Sequence, residues 1–134
     1  EGRLIDHAIR PLFPKDFKDD TQIVLTVLSS DGVNSPILVG FLGVSAALSR
    51  TGLPFKGPIV PLRISQLEGK EVVYDLANSN DNSRLDMIVS YLERGKKVQA
   101  LEAHGHIVPE AEVVSAIKGG SKLTEALFDL LEGA

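Results

Sequence analysis

The sequence has no cysteine and no tryptophan, a single methionine, and only 5% aromatic residues among 134. Without cysteine there is no disulfide, no thiol nucleophile and no thiolate metal site, and the composition fits a reducing compartment. An excess of positive charge is missing too: 14 Lys and Arg stand against 18 Asp and Glu, a formal net charge of −4. Neutralising a phosphate backbone takes a basic face, which argues against a free-standing nucleic-acid binder; any RNA contact must be local or shared with other chains. No apolar run is long enough to cross a bilayer, and no signal peptide or basic targeting tail is visible, so a cytoplasmic protein, or one of an organelle matrix, is expected. There is no initiator Met either, and an apolar pattern is already running at Leu4, which reads as a piece cut from something longer. What is present is 43% hydrophobic residues, enough for one compact domain and not for two.

The chain is organised around residues 34–58, NSPILVGFLGVSAALSRTGLPFKGP. Pro36 suits a first helical position, with Asn34 or Ser35 before it to cap free amides, and Gly52 and Pro54 stop the helix. Between them Ile37, Leu38, Phe41, Leu42, Val44, Ala46, Ala47 and Leu48 leave only Ser45 and Ser49 as polar interruptions. A helix buried on nearly every face is expected, with a thin side at Gly40, Gly43, Ala46 and Ala47.

Residues 3–13, RLIDHAIRPLF, place Leu4, Ile5, Ala8, Ile9 and Leu12 on one face of a short helix and Arg3, Asp6, His7 and Arg10 on the other. That second side reads as a solvated face, with Asp6 and Arg10 spaced to pair. Residues 21–28, TQIVLTVL, are β-branched and short, and read as a central strand. Residues 57–74 read as a hairpin turning at 67–70, with Pro58 and Pro61 putting the start of its first arm at an edge. Beyond a polar loop at 75–84, residues 85–92 and 97–103 read as a second hairpin. From Pro109 the chain is helical, with Val113, Val114, Ile117, Leu123, Leu127, Leu130 and Leu131 as its apolar face. Gly119 and Gly120 either divide that helix, with Ser121 capping the second half, or run through it because something packs on the bare backbone; the continuous helix is the expectation. The layout is α+β, a mixed β-sheet with helices packed against it.

Spacing alone carries little chemistry. His104, His106 and distant His7 lack a carboxylate at a fixed offset and make a weak metal pattern. No nucleophile elbow, phosphate-cradling glycine loop or dinucleotide fingerprint is present. Asp75, Asp81 and Asp86 gather near one loop and the start of one strand. Such carboxylates suit a divalent ion or acid–base work, and they equally suit turns in which they accept nearby amides.

Three stretches go further: RLIDHAIRPLFPKDF at 3–17, VNSPILVGFLGVSAALSRTGLPFKGPI at 33–59 and SRLDMIV at 83–89. In this order and spacing they resemble the first RNase PH-like domain of the polynucleotide phosphorylase family. The resemblance covers nearly the whole chain. It implies an RNase PH-like core, a single partial domain over 1–134 without its first strands and their arginine loop. The implied enzyme has two such cores joined by a helical domain, forms a homotrimeric ring and degrades RNA from the 3′ end with inorganic phosphate, releasing nucleoside diphosphates. RNA and other RNase PH-like domains are the implied partners. Mg2+ and phosphate are implied for the whole enzyme, with none bound by this segment.

For the site, the resemblance assigns RNA contact to Arg3, His7 and Arg10, with Gly2-Arg3-Leu4 matching a helix head whose Arg faces the active site in the catalytic core. His7 stands where the family often has Arg. Asp86 falls where that core has its metal-linked Asp, as the equivalent catalytic position, but Ile88 replaces a Lys and Asn80 another Asp. Where consecutive serines hold phosphate at the entrance of the organising helix, this chain has Pro36, with no amide hydrogen, and Ile37, with no hydroxyl. The expected role is a ring-building and channel-lining scaffold, inactive alone. The alternatives are a working phosphorolytic site on Arg3 and Asp86, or a stand-alone interaction module.

Overall fold

A computed structural model describes residues 2–17, 21–78, 82–105 and 108–133. Helix α1 (Gly2–Ile9) continues into a single 3-10 turn at Arg10–Leu12, and α2 spans Pro36–Arg50. Strands β1 (Val60–Leu67), β2 (Val73–Asp75), β3 (Ser83–Leu92) and β4 (Lys97–Gly105) precede α3 (Glu110–Leu123) and α4 (Glu125–Gly133). The strands form one sheet in the order β2-β1-β3-β4. The α+β expectation holds. Where a mixed sheet is expected, every pairing among the described strands is antiparallel.

The organising helix forms where its end signals put it. Ser35 caps it by accepting the Leu38 amide, Pro36 occupies the first turn, and Thr51 closes the far end. It also feeds both cores. Phe41, Val44 and Leu48 pack with Ile5, Ala8, Ile9 and Leu12 of the α1 segment and with Ile59 and Leu92, while Leu42 and Ala46 lie against the larger cluster. Ser45 is fully buried and accepts the Ile59 amide at 2.9 Å, so a polar interruption in the sequence becomes the tie that delivers the chain into β1. One expectation fails: Val39, Gly43 and Ala47 are exposed, so α2 keeps an open stripe along its thin side.

The larger cluster sits under α3 and α4. Val60, Leu62 and Ile64 of β1 and Leu85, Met87, Val89 and Tyr91 of β3 alternate onto one face, where Ala116, Phe128 and Leu131 cover them. The glycine pair in α3 is explained by two tyrosines. Tyr74 and Tyr91 donate their hydroxyls to the carbonyls of Ala116 and Ile117, and a Cβ at Gly119 or Gly120 would collide with those same hydroxyls. The helix therefore runs through the glycines, as expected, and breaks later, at Thr124, whose hydroxyl turns back to the Ser121 carbonyl. The expected apolar face needs correction as well. Val114, Leu123 and Leu130 are exposed, and Ala116 and Phe128 hold core positions, because the buried or half-buried stripe runs through residues 113, 116, 117, 120, 124, 127, 128 and 131 in one helical phase.

Residues 21–28 do not form the expected strand. They belong to no described strand and are exposed throughout, Val24 at 73% and Leu28 at 93%. A strand exists only through its ladder, and these residues pair with neither sheet edge. The proline expectation holds in part: β1 is an inner strand, yet its first residues, Val60 to Leu62, face β3 alone because β2 ends opposite Arg63. The second hairpin forms as expected, its first arm beginning two residues earlier, at Ser83. Its turn holds Glu93, Arg94 and Gly95 at positive φ, of which only Gly95 adopts that region without steric cost. Arg94 is held there by ion pairs to Asp129 and Glu132 of α4, and a Cβ on Gly95 would meet the Ser121 carbonyl.

Candidate functional site

The polar centre of the molecule is Asp86, near the start of β3. Register places Ser65 of β1 and His104 of β4 on either side of it. Its carboxylate does not stand open. Arg63, on the same face of β1 and one diagonal step away, donates Nη1 to Asp86 Oδ1 at 2.7 Å, with the two side chains only 10% and 11% exposed. The remaining reach of the guanidinium goes to the loop after β2, where Nε donates to the Ala77 carbonyl at 2.7 Å. Removing charge from water is expensive, and this paired, hydrogen-bonded arrangement is what makes the burial tolerable.

That loop is tied in turn to the entrance of α2. Ser35 donates its amide to the Leu76 carbonyl at 2.7 Å, Asn78 donates its amide to the Val33 carbonyl at 2.9 Å, and Asn34 and Ala77 form an isolated antiparallel bridge. Asp31 folds the turn ahead of it, accepting the amides of Val33 and Asn34 and the Asn34 side chain. The Asn34 amide, then the Val33 amide, then the Asn34 side chain hold the Asp31 carboxyl below the usual aspartate range. An open cavity of about 500 Å³ adjoins this turn, with Ser29, Ser30, Asp31, Asn34, Pro36 and Gly40 among its lining.

A phosphate arriving at this helix entrance would find few partners. Pro36 has no amide hydrogen, the Leu38 amide is spent on the Ser35 hydroxyl, and Asp31 contributes an ionised carboxylate to the same wall. A divalent ion fares no better. Asp86 is engaged with Arg63, Asp75 accepts the Ala77 amide, and among the described residues no group of three His, Asp or Glu side chains converges. The described residues do not by themselves present an octahedral set of oxygen ligands for Mg2+. Asn80, Asp81 and His106 lie outside the described residues.

Arg3, His7 and Arg10 are exposed on the outer side of α1, as the helical spacing requires. Arg10 pairs with Asp6 at 2.7 Å, the expected one-turn contact. This pair is separate from the Arg63–Asp86 pair, so Arg10 and the assigned catalytic position lie in different ion pairs. Two site residues escape sequence reasoning. Arg63 is set between Leu62 and Ile64, and a lone charge inside an apolar strand is the signal that it is buried and matched. Asp31 is visible only as a turn residue.

Residues 2–54 match the family described as 3′ exoribonuclease family, domain 1. Along almost its whole length the chain is similar to polyribonucleotide nucleotidyltransferases. It is 37% identical to that of Deinococcus deserti over 131 residues, 98% of this chain and 18% of the relative. It is 39% identical to that of Maricaulis maris over 130 residues, 97% and 18%, and 37% identical to that of Caldicellulosiruptor saccharolyticus over 132 residues, 98% and 18%. The chain thus spans about a fifth of the length of the curated relatives it matches. The matched segment contains α1 and α2, the two elements that the end signals and apolar spacing specify most strongly, and the described antiparallel sheet and helices accord with an RNase PH-like domain. Residues 2–54 thus carry the match to the 3′ exoribonuclease family, domain 1, and almost the whole chain is similar to one segment of the polyribonucleotide nucleotidyltransferases.

Proposed function

We propose that this chain supplies a single RNase PH-like domain to a phosphate-dependent 3′ exoribonuclease that releases nucleoside diphosphates from RNA, and that its own part is scaffolding. The observation that carries this reading is the closure of both halves of the site by the chain itself. Arg63 takes the Asp86 carboxylate, and at the helix entrance Pro36 lacks an amide hydrogen while the Leu38 amide is spent on the Ser35 hydroxyl. Phosphorolysis needs a held phosphate and a stabilised leaving group at one place, and both positions are short of free groups to hold them. In this reading Mg2+ and inorganic phosphate act elsewhere in the assembled enzyme. The exposed Arg3, His7 and Arg10 offer local contacts to RNA in a channel built with other RNase PH-like domains in a homotrimer. The proposed compartment is the cytoplasm; among the described residues no helix is long and apolar enough to cross a membrane.

The test is phosphate-dependent RNA degradation by the intact protein. Asp86→Asn, which keeps a hydrogen-bond acceptor for Arg63, is expected to hold turnover within a factor of about 3 of the native protein. Asp86→Ala is expected to lower stability before it lowers turnover. Loss of nearly all turnover in Asp86→Asn, with the oligomer intact by sizing, would establish the alternative in which this domain keeps a working site.

A further inference from the structure

Asp86 already has a cation, and the chain provides it. We propose that Arg63 is the resident cation of this carboxylate, filling the place a divalent ion would need and, through the Ala77 carbonyl, holding the entrance of α2. The inference rests on the scaffold reading above. Its basis is the double use of one guanidinium. Nη1 is spent on Asp86 and Nε on Ala77, both at 2.7 Å, so the fork is held from two directions. Because the Arg63 side chain is 10% exposed and the Asp86 side chain 11%, water does not compete strongly for either.

A hydrated Mg2+ keeps several waters and demands near-octahedral oxygen ligands, and a second cation beside a fixed guanidinium meets direct repulsion. The same group has a mechanical consequence. Ala77 bridges Asn34, Leu76 accepts from Ser35, and Asn78 donates to Val33, so the loop that Arg63 grips is the loop against which α2 is capped. Arg63 is therefore a positioning residue for the helix entrance as well as a counter-ion.

Iron-directed backbone cleavage of the intact protein reads the first half. Fe2+ supplied in place of Mg2+, with ascorbate and peroxide, cuts a chain beside a bound ion. No cut within residues 83–88 of the native protein is expected; a cut there that Asp86→Asn removes would overturn the inference. Amide exchange reads the second half. Arg63→Lys keeps a cation at Asp86 but not the fork. It is expected to leave residues 83–88 uncut while speeding exchange of the Ser35 and Asn78 amides by about tenfold; native-like exchange at both would overturn the positioning role. A double-substitution cycle separates pairing from mere packing. Arg63→Met and Asp86→Leu should each lower the melting temperature, and the two together should melt higher than either alone; simple additivity would contradict the pairing. None of these measurements reads turnover. Loss of turnover in Asp86→Asn would therefore sink the scaffold reading, whereas an ion bound at Asp86 would sink this one.

Discussion

Two stretches of this chain look alike as sequence and behave in opposite ways as structure. Residues 21–28, TQIVLTVL, and the Leu85–Leu92 part of β3, LDMIVSYL, are both eight residues of mostly branched and apolar character bounded by polar turns. The second lies between β1 and β4, with Met87, Val89 and Tyr91 fully buried. The first pairs with no described strand, and Val24, Val27 and Leu28 are more than half exposed. It does lean on the rest of the fold at one point, where the Leu25 side chain lies across Gly40 on the thin side of α2, close enough that a Cβ there would stand 3.1 Å from it. Strand composition thus describes readiness to pair, and a ladder with a covered face decides whether pairing happens.

The comparison can be broken most sharply by truncation. Met87→Ala removes a fully buried side chain from the centre of the larger cluster and is expected to cost about 2–5 kcal/mol in denaturant unfolding, whereas Val24→Ala should stay within about 0.5 kcal/mol. Equal costs at the two positions would mean that residues 21–28 are packed in solution. A smaller effect tests how β3 holds its covering helix. Tyr91→Phe deletes the hydroxyl that donates to Ile117, and a loss of about 1 kcal/mol is expected. At the neighbouring contact, Gly119→Ala should destabilise through collision with the Tyr74 hydroxyl, against the gain of about 1 kcal/mol that the same change gives in an open helix. A stabilised Gly119→Ala variant would show that the tyrosines do not define the α3 contact.

The smallest effect belongs to the surface pair on α1. The Arg10 side chain, hydrogen-bonded to Asp6, lowers the Asp6 carboxyl below its ordinary value, and the Arg10 charge adds to this. A depressed carboxylate contributes stability that is present above its unfolded pKa and fades as pH falls through the folded one. Melting temperature followed down through the acid range should therefore drop slightly less in Asp6→Asn than in the native chain, and 1 M salt should erase the difference. An effect as large as that of Met87→Ala would contradict the solvated position of this pair.

Local signals were legible where they needed no distant partner. Ser35 and Pro36 at the head of α2, the spacing of Leu4, Ile5, Ala8 and Ile9, and the two hairpins all follow from rules that act within a few residues. Core membership was legible only in part: Ala116 and Phe128 are covered while Val114, Leu123 and Leu130 are exposed, because the side of an apolar helix that is covered depends on where the sheet lies. Asp86 could be singled out by resemblance, but its chemistry could not, because its partner stands 23 residues earlier on another strand.

Composition, capping and periodicity by themselves determined that this chain makes an α+β domain around the helix after Pro36, and that this helix offers no amide at its first position. Only the tertiary structure decided what occupies Asp86, which tyrosines justify the glycines of α3, and that residues 21–28 form no ladder. The reason is physical: caps and apolar periods act over a few residues, whereas strand pairing and the partner of a buried charge depend on which distant segments the fold brings within reach.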